Sequence, residues 1–109
     1  MVHHAATSAL ADGVRRELGR VGDRLRILGP RWSQREVPPP EADRVRAVLQ
    51  LFADLAADSS GEPRRAVPQL ALHALADQLL VLGHDVLVAA DPQALDAVHG
   101  ALLELRRTL

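Results

Sequence analysis

Two histidines and an aspartate in the second half of the sequence are the side chains best suited to metal or phosphoryl chemistry. His73 and Asp77 lie four residues apart, about one helical turn, so both could contact one metal ion. His84 falls on the same side of a continuous helix, but it follows Asp77 by seven residues, about 10.5 Å of rise, too far for that ion. A metal site at His73 and Asp77 would need ligands from another helix, for which His99 and Glu104 are candidates.

A simpler interpretation is that His73, Asp77 and His84 form a solvent-exposed face, because two ligands are fewer than a full metal-binding set. The chain has no cysteine, which excludes thiolate nucleophiles, cysteine-ligated zinc and iron–sulfur clusters. Its serines lie outside any strand–turn–helix elbow, and no glycine-rich phosphate loop occurs. We therefore expect a non-enzymatic protein without a cofactor.

The spacing of His73, Leu75 and Gly83 resembles the motif of histidine phosphotransfer domains, which are four-helix bundles of similar length. The resemblance implies an exposed, phosphorylatable His73 on a helix and a role in signalling. The sequence departs from the family at two positions. Ala76 stands where the family has a lysine that helps to hold the phosphate, and Asp77 stands where a glycine lets the partner domain approach. A carboxylate at that place repels an incoming phosphoaspartate.

Arginines are concentrated in the first part of the chain, where residues 1–40 carry seven arginines against four acidic residues. A basic helix face of this kind could bind nucleic acid or an acidic partner, and this is a third functional interpretation. Ion pairs within the helix explain most of these charges without a partner: Asp12 with Arg15 or Arg16, Glu17 with Arg20, and Asp23 with Arg26. Arg24 remains as the main surplus, so we do not expect nucleic-acid binding to be the function.

The composition is that of one globular domain. The 109 residues are 48% hydrophobic and 25% charged, and the formal net charge of −1 predicts no bulk attraction to nucleic acid or to an anionic membrane. No apolar run reaches the roughly 20 residues that span a bilayer, and Met1 to Leu10 lacks a signal-peptide pattern, so we expect a cytoplasmic protein with no membrane partner. Arginine is the only basic residue besides histidine, which a GC-rich bacterial genome explains.

Hydrophobic periodicity predicts a first helix over residues 8–28 and a second over residues 41–58. In the first helix, the apolar residues follow each other at steps of three or four and fall inside an arc of about 80°. The pair Gly29-Pro30 is expected to end it. The spacer Pro38-Pro39-Pro40 then leads into the second helix, which has acidic residues in its first turn.

A third helix is predicted over residues 68–90, with Pro68 in its first turn. Gly83 could end this helix early and leave Val86-Leu87-Val88 as a strand-like run. We favour the continuous helix, because it places leucines along one face and because a single short strand has no partner with which to form a sheet.

A fourth helix is predicted over residues 92–108, with Asp91 as N-cap and Pro92 as its first residue. Four amphipathic helices, each with one apolar face, bury those faces together. The sequence therefore predicts an all-α, antiparallel four-helix bundle that forms one domain over residues 1–109. The short link before Pro92 predicts that the third and fourth helices are antiparallel neighbours.

Function is best interpreted as that of a small helical interaction module, an adaptor or accessory subunit. Its candidate contact residues are Trp32, Arg24, Val81 and Val88. Trp32 is either an interface anchor or, as we favour, a lid over one end of the bundle. On a continuous third helix, Leu70, Val81 and Val88 lie on the side opposite the apolar seam. This second apolar surface predicts a protein partner, most simply a second copy in a homodimer.

Overall fold

The computed structural model describes the backbone of residues 2–109 and the side chains of residues 7–109. Its helices are α1 (Val2–Ser33), α2 (Pro40–Ser60), α3 (Leu75–Ala89, preceded by the 3-10 turn Leu72–Ala74) and α4 (Pro92–Thr108). The part of the chain that it describes is 81% helical and contains no strand, which confirms the all-α four-helix bundle. The continuous third helix is also confirmed, because α3 passes through Gly83.

One apolar seam on each helix builds the core. The middle of each predicted seam is buried: Val14, Leu18, Val21 and Leu25 on α1, and Leu95, Val98, Leu102 and Leu105 on α4. The seam residues nearest the helix ends, Leu10, Leu28 and Leu109, are partly buried and pack against this core. The start of α4 also follows its sequence signals. The carboxylate of Asp91 accepts a hydrogen bond from the backbone N–H of Gln93 at 3.0 Å, which satisfies one of the free donors of the first turn.

The direction of each helix follows from its contacts along α1. Leu18 packs on Gly83 in the second half of α3, and Gly29 lies against Leu72 in the turn before α3, so α1 and α3 are antiparallel. In contrast, α4 runs parallel to α1, because Glu17 lies beside Arg106 and the later residue Arg24 reaches the carbonyl of Leu109.

Helix α2 is antiparallel to α4, since Ser59 at its end donates a hydrogen bond to Asp91 at 3.3 Å. The four helices therefore run up, down, down and up. Helices α3 and α4 are antiparallel, as their short link predicts, but they lie across the bundle from each other, and each packs mainly on α1 and α2. Because α2 and α3 point the same way, residues 62–71 must carry the chain back along the bundle.

Helix α1 is longer than residues 8–28: it begins at Val2 and continues through Gly29-Pro30 to Ser33. The predicted stop is wrong because Trp32, in the last turn, is buried with only 6% of its surface exposed. Burying a tryptophan removes about 150–250 Å² from water, or about 4–6 kcal/mol, which exceeds the cost of about 3 kcal/mol for an internal proline. A Cβ on Gly29 would lie 2.7 Å from the carbonyl oxygen of Leu72, so glycine permits this close approach.

Residues 62–71, here called the strap, are not helical, so the predicted helix start near Pro68 is wrong and the turn before α3 begins at Leu72. Gly61 ends α2 in the left-handed region at φ 68°, and its N–H bonds back to the last turn of α2. Val67 precedes a proline and is therefore biased away from helical backbone angles. Side chains of α2 and α3 then hold the strap in place, as described below.

Candidate interaction surface

The proposed metal ligands His73 and Asp77 are both exposed. His73 lies in the 3-10 turn, whose backbone contacts Gly29 near the end of α1, whereas His99 packs on Gly13, much earlier along α1. The two histidines are therefore separated along the bundle. Among the described residues, no group of three or more histidine, cysteine or acidic side chains could hold a metal ion.

The residues that resemble a phosphotransfer motif also lie in a different setting. His73 is in a single 3-10 turn and not inside an α-helix. Gly83 is buried, and a Cβ there would lie 2.5 Å from Cδ2 of Leu18. The role of Gly83 is therefore to admit α1, since no partner domain can reach it.

Three of the six arginines of α1 are paired within the helix, as the sequence predicted: Arg15 with Asp12, Arg20 with Glu17, and Arg26 with Asp23. Glu17 is also the buried charged residue of the described chain, with 4% of its surface exposed. Its Oε2 lies 3.3 Å from Nε of Arg106 on α4, but it accepts no hydrogen bond from the described residues. This carboxylate thus joins α1 to α4.

Two of the candidate contact residues are used inside the monomer. Trp32 lies in the core at the end of α1, so it is the lid and is inaccessible as an interface anchor. Arg24 donates two hydrogen bonds, at 3.3 and 3.1 Å, to the carbonyl oxygen of Leu109 and so caps the end of α4. Trp32 is therefore inaccessible to a partner, whereas Arg24 is exposed but engaged with the end of α4.

The other two candidates are exposed as predicted. Val81 and Val88 on α3 are 61% and 71% exposed, and Leu70 on the strap is 48% exposed. These three residues lie on one side of the molecule, where the strap runs beside α3. We call this side the α3–strap face, and it consists of residues 62–71 and the outward side of α3.

Two grooves run along this face and meet at Leu82: the first lies between α3, the end of α2 and the start of the strap, and the second lies between α3 and the strap. The first, of about 660 Å³, lies beside the second half of α3 and includes Arg65, Asp85 and Val88. The second, of about 410 Å³, lies beside the first half of α3 and includes Leu70, Asp77 and Val81. The face thus offers protruding valines beside two concavities, of which the second is mainly apolar and the first also contains the charged residues Glu62, Arg65 and Asp85.

Side-chain amides hold the strap against the helices and so give the face a fixed shape. The amide of Gln50 on α2 bridges two strap residues: its Nε2 donates to the carbonyl of Arg65, and its Oε1 accepts from the N–H of Val67, each at 2.9 Å. Two further donors bind strap carbonyls: Arg46 binds that of Leu70 at 2.6 Å, and Gln78 binds that of Pro68 at 2.9 Å. The strap backbone therefore finds partners outside regular secondary structure.

The two adjacent arginines of the strap differ in their partners. Arg64 donates two hydrogen bonds to Asp58, at 3.0 and 2.7 Å, and lies 3.8 Å from Asp54. The hydrogen bonds from Arg64 lower the pKa of the Asp58 carboxyl below its usual 3.8. In contrast, Arg65 and Asp77 are exposed and form no ion pair with any part of the chain that the structure describes.

Sequence reasoning missed the strap, and with it Arg65 and the two grooves. The one available signal was Val67 before Pro68, which disfavours a helix at that point.

Leu72–Ala89 is long and apolar enough to cross a membrane by length and composition alone, with a mean hydropathy of 1.3. No protein-family model, curated protein or solved structure matches the chain. Function must therefore be argued from the α3–strap face itself.

Proposed function

We propose that this protein is a non-enzymatic helical interaction module that associates with a second copy of itself through the α3–strap face. The observation that carries the proposal is that the exposed residues Val81, Val88 and Leu70 line two neighbouring grooves. Hydrogen bonds from side chains of the helices hold the strap that forms part of these grooves in place. Single exposed apolar residues are ordinary, but a continuous apolar surface marks a contact site.

The size of the face indicates how strong such an association is. Its α3 portion runs from Leu75 to Ala89, about 21 Å at 1.5 Å per residue. A face of this length corresponds to the small class of interfaces, below about 1,200 Å² of total buried surface. We therefore expect a reversible dimer with a dissociation constant in the micromolar range.

Sedimentation velocity from low micromolar to near-millimolar protein tests the proposal. The wild-type protein is expected to shift from monomer to dimer across this range, and Val88→Lys to remain monomeric. Val37→Lys is the matched control, because Val37 lies in the α1–α2 connection and is 70% exposed. A wild-type protein that stays monomeric at the highest concentration contradicts the proposal, as does a Val37→Lys variant that loses the dimer equally.

A further inference from the structure

The main helix contacts of this fold join the two halves of the chain. The first half contains α1 and α2, the second contains α3 and α4, and each helix packs mainly on the helices of the other half. Individual contacts follow the same division: Leu18 packs on Gly83, and Glu17 pairs with Arg106. The core is therefore built between the halves, so that neither half buries its apolar seams without the other.

The strap is the covalent link between the halves, and it is lightly anchored. Within residues 62–71, Val67 is partly buried and every other residue is exposed. The helices hold the strap backbone through the side chains of Arg46, Gln50 and Gln78. Release of the strap therefore costs these hydrogen bonds and one partly buried side chain, and it leaves the contacts between the halves unchanged.

The strap is also close to full extension along α2. Arg64 binds Asp58, and the carbonyl of Leu70 binds Arg46, so six residues of strap run back beside twelve residues of α2. Twelve helical residues rise about 18 Å, and six residues of extended chain reach about 20–22 Å. The strap thus has little length to spare, and straightening it further changes its conformation only slightly.

We infer that two copies of this chain exchange their second halves, so that α1 and α2 of each copy pack with α3 and α4 of the other. The contacts between halves form again in such a dimer, because the two copies have the same sequence. Each strap then leaves its own α2 and crosses between the two bundles. The hydrogen bonds from Gln50 and Arg46 to the strap favour the closed monomer, whereas a high protein concentration favours exchange. This inference goes beyond the proposed function and is independent of it, because it does not use the outward side of α3.

Complementation between two damaged full-length variants tests the exchange. Leu18→Asp places a charge in the core from the first half, and Leu102→Asp does so from the second, so each variant alone should lose its helical circular dichroism. Refolding the two together from urea at high concentration should produce, by exchange, one bundle with both substitutions and one with neither. We therefore expect about half of the wild-type helical signal to return.

The matched control is a mixture of Leu18→Asp and Phe52→Asp, because both substitutions lie in the buried core of the first half. Every bundle formed by exchange then contains one of them, so the helical signal should not return. A mixture of Leu18→Asp and Leu102→Asp that recovers no more helix than this control contradicts the inference.

Shortening the strap gives a second test that leaves the core intact. Deletion of residues 66–69 leaves a reach of about 7 Å where the strap now covers about 18 Å, so α3 cannot return to its own α2. We expect a fully helical protein that sedimentation equilibrium shows to be a dimer at all concentrations. Adding Val88→Lys should leave this dimer intact, which separates exchange from association through the α3–strap face. A shortened chain that is a folded monomer, or that lacks helix at every concentration, contradicts the inference and leaves the proposed function standing.

Discussion

Helices α4 and α3 are similar in length, yet they differ in how the monomer uses their surfaces. Helix α4 has one buried apolar seam, including Leu95 and Leu102, and its outward side is polar, with the Glu104–Arg107 ion pair. Helix α3 also has a buried seam, including Leu79, but it carries Val81 and Val88 outward. None of the large apolar side chains of α4 is exposed, whereas two of those on α3 are.

The difference separates two roles for apolar residues. On α4, the buried seam residues Leu95, Val98, Leu102 and Leu105 contribute to the stability of the monomer. On α3, the outward valines contribute little to the monomer, and water contact makes them unfavourable until something covers them. Substitutions on the two helices should therefore change different measured quantities: the free energy of unfolding for α4, and association for α3.

The largest expected effect is on the α4 side of this comparison. Leu102 is fully buried, so Leu102→Ala should reduce the free energy of unfolding by about 2–5 kcal/mol, through lost burial and the cavity left behind. Val81→Ala should change it by less than about 0.5 kcal/mol. Urea denaturation at low protein concentration, where the monomer dominates, measures both. Equal losses from the two variants would show that Val81 is part of the monomer's core.

Two glycines sharpen the comparison further, because α3 and α4 each contain one. In α3, Gly83→Ala brings a Cβ to 2.5 Å from Leu18, which is itself buried and has little room to move. Overpacking of about 1–3 kcal/mol exceeds the gain in helix propensity of about 1 kcal/mol, so we expect net destabilisation.

Gly100 in α4 is the matched control, because a Cβ there meets nothing within 4 Å. Gly100→Ala should stabilise the protein by up to about 1 kcal/mol, since only helix propensity changes. Thermal and urea unfolding of both variants give the sign. Stabilisation by Gly83→Ala would mean that α1 and α3 do not pack as closely as described.

Local signals were sufficient where each element could be interpreted by itself. The N-cap Asp91, the proline after it and the regular spacing of leucines placed α4 correctly, and the same periodicity found the buried seam of α1. They failed where tertiary contacts decide the structure. The end of α1 depends on the burial of Trp32 in the core, and the strap depends on the amide of Gln50, which lies far from it in sequence.

The candidate site was predictable to a similar extent. Val81 and Val88 could be identified because a continuous helix places them opposite its seam, which is a matter of periodicity. Arg65 could not, because its position on the face exists only if residues 62–71 return along the bundle. Arg24 and Trp32 were candidates because of their residue types, and the structure uses both of them within the monomer.

The smallest expected effect is on the pKa of Asp58, whose carboxylate accepts hydrogen bonds from Arg64 of the strap. The adjacent Arg65 forms no ion pair within the described chain. Hydrogen bonds from Arg64 lower the pKa of Asp58, so this pair stabilises the folded state above the usual carboxyl pKa, and the contribution is lost as the pH falls through the lowered value. Arg64→Ala should return the Asp58 pKa toward 3.8. A carbon-detected NMR titration of the Asp58 carboxyl measures this change.

Arg65→Ala is the control for that titration, because Arg65 forms no ion pair within the described chain. It should leave the Asp58 pKa unchanged, whereas Arg64→Ala should raise it. Both residues are exposed cations in adjacent positions, so net charge alone predicts the same result for the two variants. A change with Arg64→Ala alone would show that the hydrogen bonds from Arg64, and not the overall charge of the strap, lower the Asp58 pKa.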